Sequence, residues 1–284
     1  MSSDFAASIA TSAGELEIRG SAATDVGLVR AVNEDAFYAG APVYLVADGM
    51  GGHSYGDLAS NTVAEVFGET FNDHRRPTTP EDVIAAVDAA NTRIQELMAN
   101  DGEPGAIAGT TVSGVALVDV DPDGETDVAP YWMIFNVGDS RVYGWNGRSV
   151  VQITVDHSAV QELVYLGIIT EEEALVHPDR NVITRAVGSD TQVHTDLWLM
   201  PVQGHQLFVI CSDGLTKELS DDEIGAIIQN YAVETGVTRT LAQTLIDRAI
   251  ERGGRDNITV VAVESTPVSG EGVESPTESI SESE

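Results

Sequence analysis

Three apolar runs of this chain end in aspartate: "VYLVAD" at Asp48, "IFNVGD" at Asp139 and "LFVICSD" at Asp213. A fourth, "DNITVVAV", begins at Asp256. Short β-rich runs bounded by turn residues are strands. In an antiparallel sheet the end of one strand and the start of the next share an edge, so four carboxylates are expected at one rim. Like charges a few ångströms apart cannot all stay ionised unaided. A divalent cation is the usual remedy, and hard oxygen donors select Mg²⁺, Mn²⁺ or Ca²⁺. Zinc would call for a Cys/His cluster that the chain lacks. An Asp that merely turns the chain accounts for any one of the four, but poorly for all of them together.

Other strands surround these runs: "TVSGVALV", "YWMIFNVGD" and "RVYGWNG". Two pairs are close enough for hairpins, 112–118 with 131–137 and 141–145 with 149–153 across Asn146-Gly147. Short connections favour antiparallel sheets over β-α-β units. Helices are expected over 58–71, after Thr79-Pro80, after Thr170 and Ser220 with their Glu173 and Glu223 capping boxes, and over 239–251. The expected fold class is α+β, with two sheets packed face to face and helices outside. One domain spans 16–264, preceded by a loose Ala/Ser-rich leader over 1–15 and followed by an acidic, Ser-rich disordered tail over 265–284.

Composition narrows the function. Asp and Glu number 46 against 14 Lys and Arg, a formal net charge of −32, which repels nucleic-acid phosphates. Most of these carboxylates form a solvated surface; whether they also reflect adaptation to high salt stays open, although Lys217 is the sole lysine. No run is long enough to span a membrane, and no signal peptide opens the chain. A single cysteine, Cys211, cannot pair internally and sits in a core strand.

Several further candidates need context. "DVDPDGETDVAP" (119–130) begins like a calcium loop, but Pro130 stands where a bidentate Glu belongs, so it reads as a hairpin loop. Arg30, five residues before Asp35, is either a bidentate phosphate ligand or an ordinary surface ion pair. His53, in "VADGMGGHS", is either a group titrating near neutral pH or a surface histidine.

Taken in order, "RAVNEDAF", "VADGMGGHSYGDLAS", "GTT", "NVGDSRVY", "DHSAVQEL", "HPDRNVITRAVG", "CSDGL" and "GGRDNITVVAV" resemble the metal-dependent protein serine/threonine phosphatases, the type 2C or PPM family, in its compact bacterial form. The resemblance covers residues 19–263 and implies a four-layer α-β-β-α sandwich. It implies that Asp48 bridges two Mn²⁺ or Mg²⁺ ions with the Gly49 carbonyl as a further ligand, and that Asp213 and Asp256 complete the site. Asp35 would contribute directly or through water, Asp139 would help Asp213 bind a third ion, and Arg30 would clamp the substrate phosphate. Two such ions about 3.5–4 Å apart lower the pKa of a bridging water, and the hydroxide attacks phosphorus in line. His53 is a candidate acid for the leaving alkoxide, although Met50 stands where many relatives carry histidine. Residues 158–182 correspond to the family's flap.

The implied substrates are Ser/Thr-phosphorylated proteins, acted on by a cytoplasmic, monomeric enzyme that reverses bacterial Ser/Thr kinases, with no nucleic-acid or membrane partner. Two alternatives are a catalytically silent phosphoprotein-binding regulator and a phosphatase dedicated to an anti-sigma-factor antagonist.

Overall fold

Side-chain alternation on the strands of this chain separates two apolar faces instead of an apolar face from a polar one. The computed structural model describes residues 2–51, 55–72, 75–102, 106–122, 124, 127–233 and 239–268. In chain order the elements are β1 (Ser2–Thr11), β2 (Gly14–Asp25), β3 (Asp35–Gly40), β4 (Val43–Met50), α1 (Tyr55–Phe71), α2 (Pro80–Asp101), β5 (Gly109–Thr110), β6 (Val112–Val120), β7 (Ala129–Val137), β8 (Arg141–Trp145) and β9 (Val150–Gln152). There follow α3 (Ala159–Tyr165), α4 (Glu171–Ala174), β10 (Asp196–Pro201), β11 (Gln206–Cys211), α5 (Asp213–Thr216), α6 (Asp221–Val233), α7 (Leu241–Arg252) and β12 (Ile258–Pro267).

The strands form two antiparallel sheets. One runs β1-β2-β12-β11-β8-β9; the other runs β10-β7-β6-β4-β3, with β5 paired to β4. Tyr44 and Val46 of β4 enter the layer between the sheets, where they meet Trp132, Ile134, Phe208, Ile210 and Val261. Their neighbours Val43, Leu45 and Ala47 face outward onto Val63 and Phe67 of α1 and Val83 and Val87 of α2. On the other sheet Val260 and Ala262 pack against Ile224 and Ile228 of α6 and Leu245 and Ile246 of α7. The sandwich therefore has four layers, as expected. Each fully buried large apolar side chain contributes about 1.5–3 kcal/mol, which is why three apolar layers outweigh the acidic surface.

Local signals are realised at the helix ends. Thr79 caps α2 by accepting from Asp82 N, with Pro80 at the first position. Thr170 and Glu173 form the reciprocal capping box of α4, and Ser220 and Glu223 do the same at α6. Both expected hairpins form, as β6 with β7 and β8 with β9. The calcium-like loop is the first of these connections. Its first residue, Asp119, instead accepts hydrogen bonds from Ser12 N (2.9 Å) and Oγ (3.0 Å), pinning the turn between β1 and β2.

Two expectations are corrected, at the two ends of the domain. Residues 1–15 do not form a loose leader: Ser2–Thr11 is a full-length strand paired with β2 from Ser2↔Ala23 to Thr11↔Gly14. Ile9 is buried between the sheets, and the Phe5 ring stacks on Tyr44 with centroids 4.9 Å apart. At the other end Ser265–Pro267 continue β12, and Val268 N donates to Glu15 O. The rest of the expected tail, 269–284, lies outside the described residues. Among the described residues no helix is long and apolar enough to cross a membrane.

A candidate metal centre at the rim shared by both sheets

Asp35 opens β3 and Asp48 lies near the end of β4, and the antiparallel register sets them directly opposite one another. Thr110 and Thr111, from "GTT", hold Asp48 in place. Thr111 N and Thr110 Oγ1 donate to Asp48 O, each at 2.9 Å, and Asp48 N donates to Thr111 Oγ1 at 2.9 Å. The next residue has no room for a side chain: a Cβ on Gly49 would lie 2.1 Å from Gly56 O and 2.5 Å from Glu34 O.

The opposite sheet brings Asp213 and Asp256 to the same rim. Ser212, just after β11, joins the two halves: its Oγ donates to Asp35 Oδ2 (2.7 Å) and accepts from Thr259 N (2.9 Å). Asp213 starts α5, and Asp256 lies two residues before β12. Gly214 lets the segments meet, since a Cβ there would stand 1.9 Å from Asn257 O.

Asp139 arrives by a turn after β7. Gly138 adopts φ +109°, a left-handed value open to glycine, and a Cβ would strike Thr111 at 2.6 Å. His157 braces the turn: its Nδ1 accepts from Gly138 N (3.0 Å), so the proton sits on Nε2 and is donated to Asp196 Oδ2 (3.1 Å). The segment over 158–182 hangs from the same place, through Thr184 N to His157 O and Ala159 N to Val182 O. On it Tyr165, Leu166, Ile168, Leu175 and Val176 are exposed.

Electrostatically the rim is over-supplied with negative charge. Burial, only partly offset by Ser212 and Thr259, pushes Asp35 up to about 7. Burial and then the charge of Asp213 push Asp139 to about 7 as well. Asp48 is raised well above the carboxylate range by burial and by Asp35, Asp213 and Asp139. Asp213 is also raised, burial outweighing the Lys217 ammonium. Asp256 goes the other way: burial would raise it, but Lys217 and Arg30 hold it low. Among the described residues, Asp35 Oδ1 and Asp139 Oδ1 are buried carboxylate oxygens with no hydrogen-bond partner.

Among the described residues, Arg30 and Lys217 bring basic side chains to this rim. Arg30 is committed to Asp256 by a forked pair, Nε to Oδ1 at 2.8 Å and Nη2 to Oδ2 at 3.0 Å. This is the ion-pair reading of Arg30, although its partner is 226 residues away in sequence. Lys217 places its Nζ 2.5 Å from Asp213 Oδ2 and 2.8 Å from Asp256 Oδ2. Sequence reasoning noted this lysine only for its rarity; its i,i+4 spacing from Asp213 was the available signal. Asn257 was missed too. It ties the Arg30 loop down by donating to Val26 O and Val32 O and accepting from Glu34 N. His53 lies outside the described residues.

The donors suit a hard divalent cation: carboxylates from both sheets, two orphaned oxygens, and a cluster that resists ionising unaided. As the side chains stand, no group of three or more His, Cys, Asp or Glu among the described residues is arranged to hold an ion. The fit is therefore one of donor chemistry.

Comparison with known proteins agrees with this chemistry. The sequence matches the Protein phosphatase 2C family over residues 28–248. It is 32% identical over 253 residues to the serine/threonine phosphatase stp of Listeria monocytogenes serotype 4b, covering 85% of this chain and 93% of that one. The crystal structure of the Mycobacterium tuberculosis serine/threonine phosphatase PstP/Ppp superposes with a TM-score of 0.74 at 34% identity, over 87% of this chain and 98% of that chain. The catalytic domain of the phosphatase PstP in complex with two manganese ions gives a TM-score of 0.73 at 32% identity, over 88% and 99% of the two chains.

Proposed function

The chain belongs to the protein phosphatase 2C family, and we propose that it is a divalent-metal-dependent phosphatase acting on phosphoserine and phosphothreonine in proteins. The observation that carries this reading is the meeting of Asp35 and Asp48 from one sheet with Asp213 and Asp256 from the other, joined through Ser212. Asp48, the Gly49 carbonyl, Asp213 and Asp256 would hold two Mn²⁺ or Mg²⁺ ions, with Asp35 contributing directly or through water. Asp139, with Asp213, would take a third. Such ions supply an activated water at neutral pH and positive charge against the phosphoryl oxygens.

The chain's own groups do the remaining work. Arg30, half-exposed at the rim, presents a planar fork matched to a phosphate and can exchange its Asp256 partner for one. The Ser or Thr oxygen leaving phosphorus needs a proton, for which His53 is the candidate donor. His157 and Asp196 keep the Asp139 turn in register and anchor the flap beside it. The flap's exposed apolar residues would grip substrate residues flanking the phosphate. The substrates are then proteins phosphorylated by Ser/Thr kinases, met in the cytoplasm by a monomeric enzyme.

Phosphate release from a phosphothreonine peptide tests this. Activity should require Mn²⁺ or Mg²⁺, vanish with chelator, and be lost in Asp213→Asn while the fold persists. Full activity in metal-stripped protein would overturn the reading.

A further inference from the structure

Lys217 sits on two of the carboxylates assigned to the metals. Its Nζ contacts Oδ2 of both Asp213 and Asp256, and no other lysine exists in the chain. The placement is built in: Lys217 ends α5 one turn after Asp213, and its backbone N–H donates to Asp213 O at 2.8 Å. The side chain is only one-third exposed. A divalent ion bound by Asp213 and Asp256 would compete with the ammonium for these two carboxylates, and cations so close together repel.

We infer that Lys217 is a tethered countercation: it occupies the carboxylate rim in the metal-free protein and is displaced when divalent ions bind. This rests on the metal-dependent reading of the rim. The ammonium lies within ion-pair distance of both carboxylates. The ammonium thus offsets like-charge repulsion before metal arrives. It also sets a threshold, because the apparent affinity for metal falls by the fraction of molecules in which the rim is free of Lys217.

The solitary lysine makes this directly observable. In protein grown with ¹³C,¹⁵N-lysine one side chain reports alone. During a Mg²⁺ titration its Cε and Nζ resonances should move from a held to a solvent-exposed position, in step with the heat of Mg²⁺ binding by calorimetry. Resonances that stay fixed while Mg²⁺ binds would overturn the inference and leave the metal site standing. No Mg²⁺ or Mn²⁺ uptake at all would overturn both. As a second arm, free Mn²⁺ counted by electron paramagnetic resonance should show Lys217→Gln binding the ion about tenfold more tightly, the factor expected if Lys217 occupies the rim about 90% of the time. Unchanged affinity in a folded variant would also refute it.

Discussion

Removing the Asn257 side chain should unfasten the Arg30 loop. Asn257 is 6% exposed, and its amide group makes three hydrogen bonds to that loop: Nδ2 to Val26 O and Val32 O at 3.0 Å each, and Oδ1 from Glu34 N at 2.9 Å. At about 1 kcal/mol net for each, Asn257→Ala should cost about 3 kcal/mol. For a domain of this size that lowers the melting temperature by about 6–12 °C. Asn257→Asp is the sharper perturbation, since it preserves shape and the acceptor toward Glu34 N. It replaces two N–H donors by a carboxylate oxygen facing two carbonyls, beside Asp256, and should cost at least as much. Calorimetric melts at fixed metal and salt measure the stability. Phosphopeptide kinetics should show KM rising more than kcat falls, because Arg30 loses its footing while the carboxylates keep theirs. A loss below about 1 kcal/mol with unchanged KM would refute the assignment of Asn257 as the tie of this loop.

Three other outcomes are expected. Asp35 and Asp139, raised to about 7 in the folded state, bind more protons there than when unfolded; their contribution is complete below about 4 and lost as pH rises through about 7. Metal-free protein should therefore melt progressively lower from pH 4.5 to 7.5, with Mn²⁺ reversing the trend; a flat or rising profile without metal contradicts this. Asp48→Asn should cut kcat/KM more than about 100-fold yet raise the melting temperature of the metal-free protein, because it removes a buried carboxylic acid that must either take up a proton on folding or repel its neighbours. Tyr44→Phe should stabilise by about 1 kcal/mol, since the Tyr44 hydroxyl is buried with no hydrogen-bond partner among the described residues. Urea titration measures that change, and destabilisation would show that the hydroxyl is satisfied.

What was legible in the chain was what depends on local pattern. Apolar runs ending in Asp48, Asp139 and Asp213 marked both the strands and the rim, because a strand carries its last residue to a sheet edge whatever its neighbours are. Capping residues such as Thr79 and Thr170 marked helix starts for the same reason. Residues 2–11 were misread because "SSDFAASIAT" has little intrinsic strand preference; it becomes a strand by pairing with β2 and by placing Phe5 against Tyr44, 39 positions away. The partner of Arg30 was equally hidden, since nothing near Arg30 points to Asp256. Lys217 was legible in spacing, but its significance depends on Asp256 being brought alongside Asp213 by the pairing of β11 with β12.

The position of β12 has a consequence for how the protein is made. This last strand lies between β2 and β11, paired with β2 from Ile258↔Asp25 to Pro267↔Leu16. A nascent chain emerging from the ribosome therefore leaves a gap in the middle of its first sheet until the final strand appears. Asp256 and Asn257 emerge with that strand. The rim gains its last carboxylate and the Arg30 loop its anchor only when translation of the domain is complete, so an unfinished chain has the early strands of the enzyme but not its chemistry.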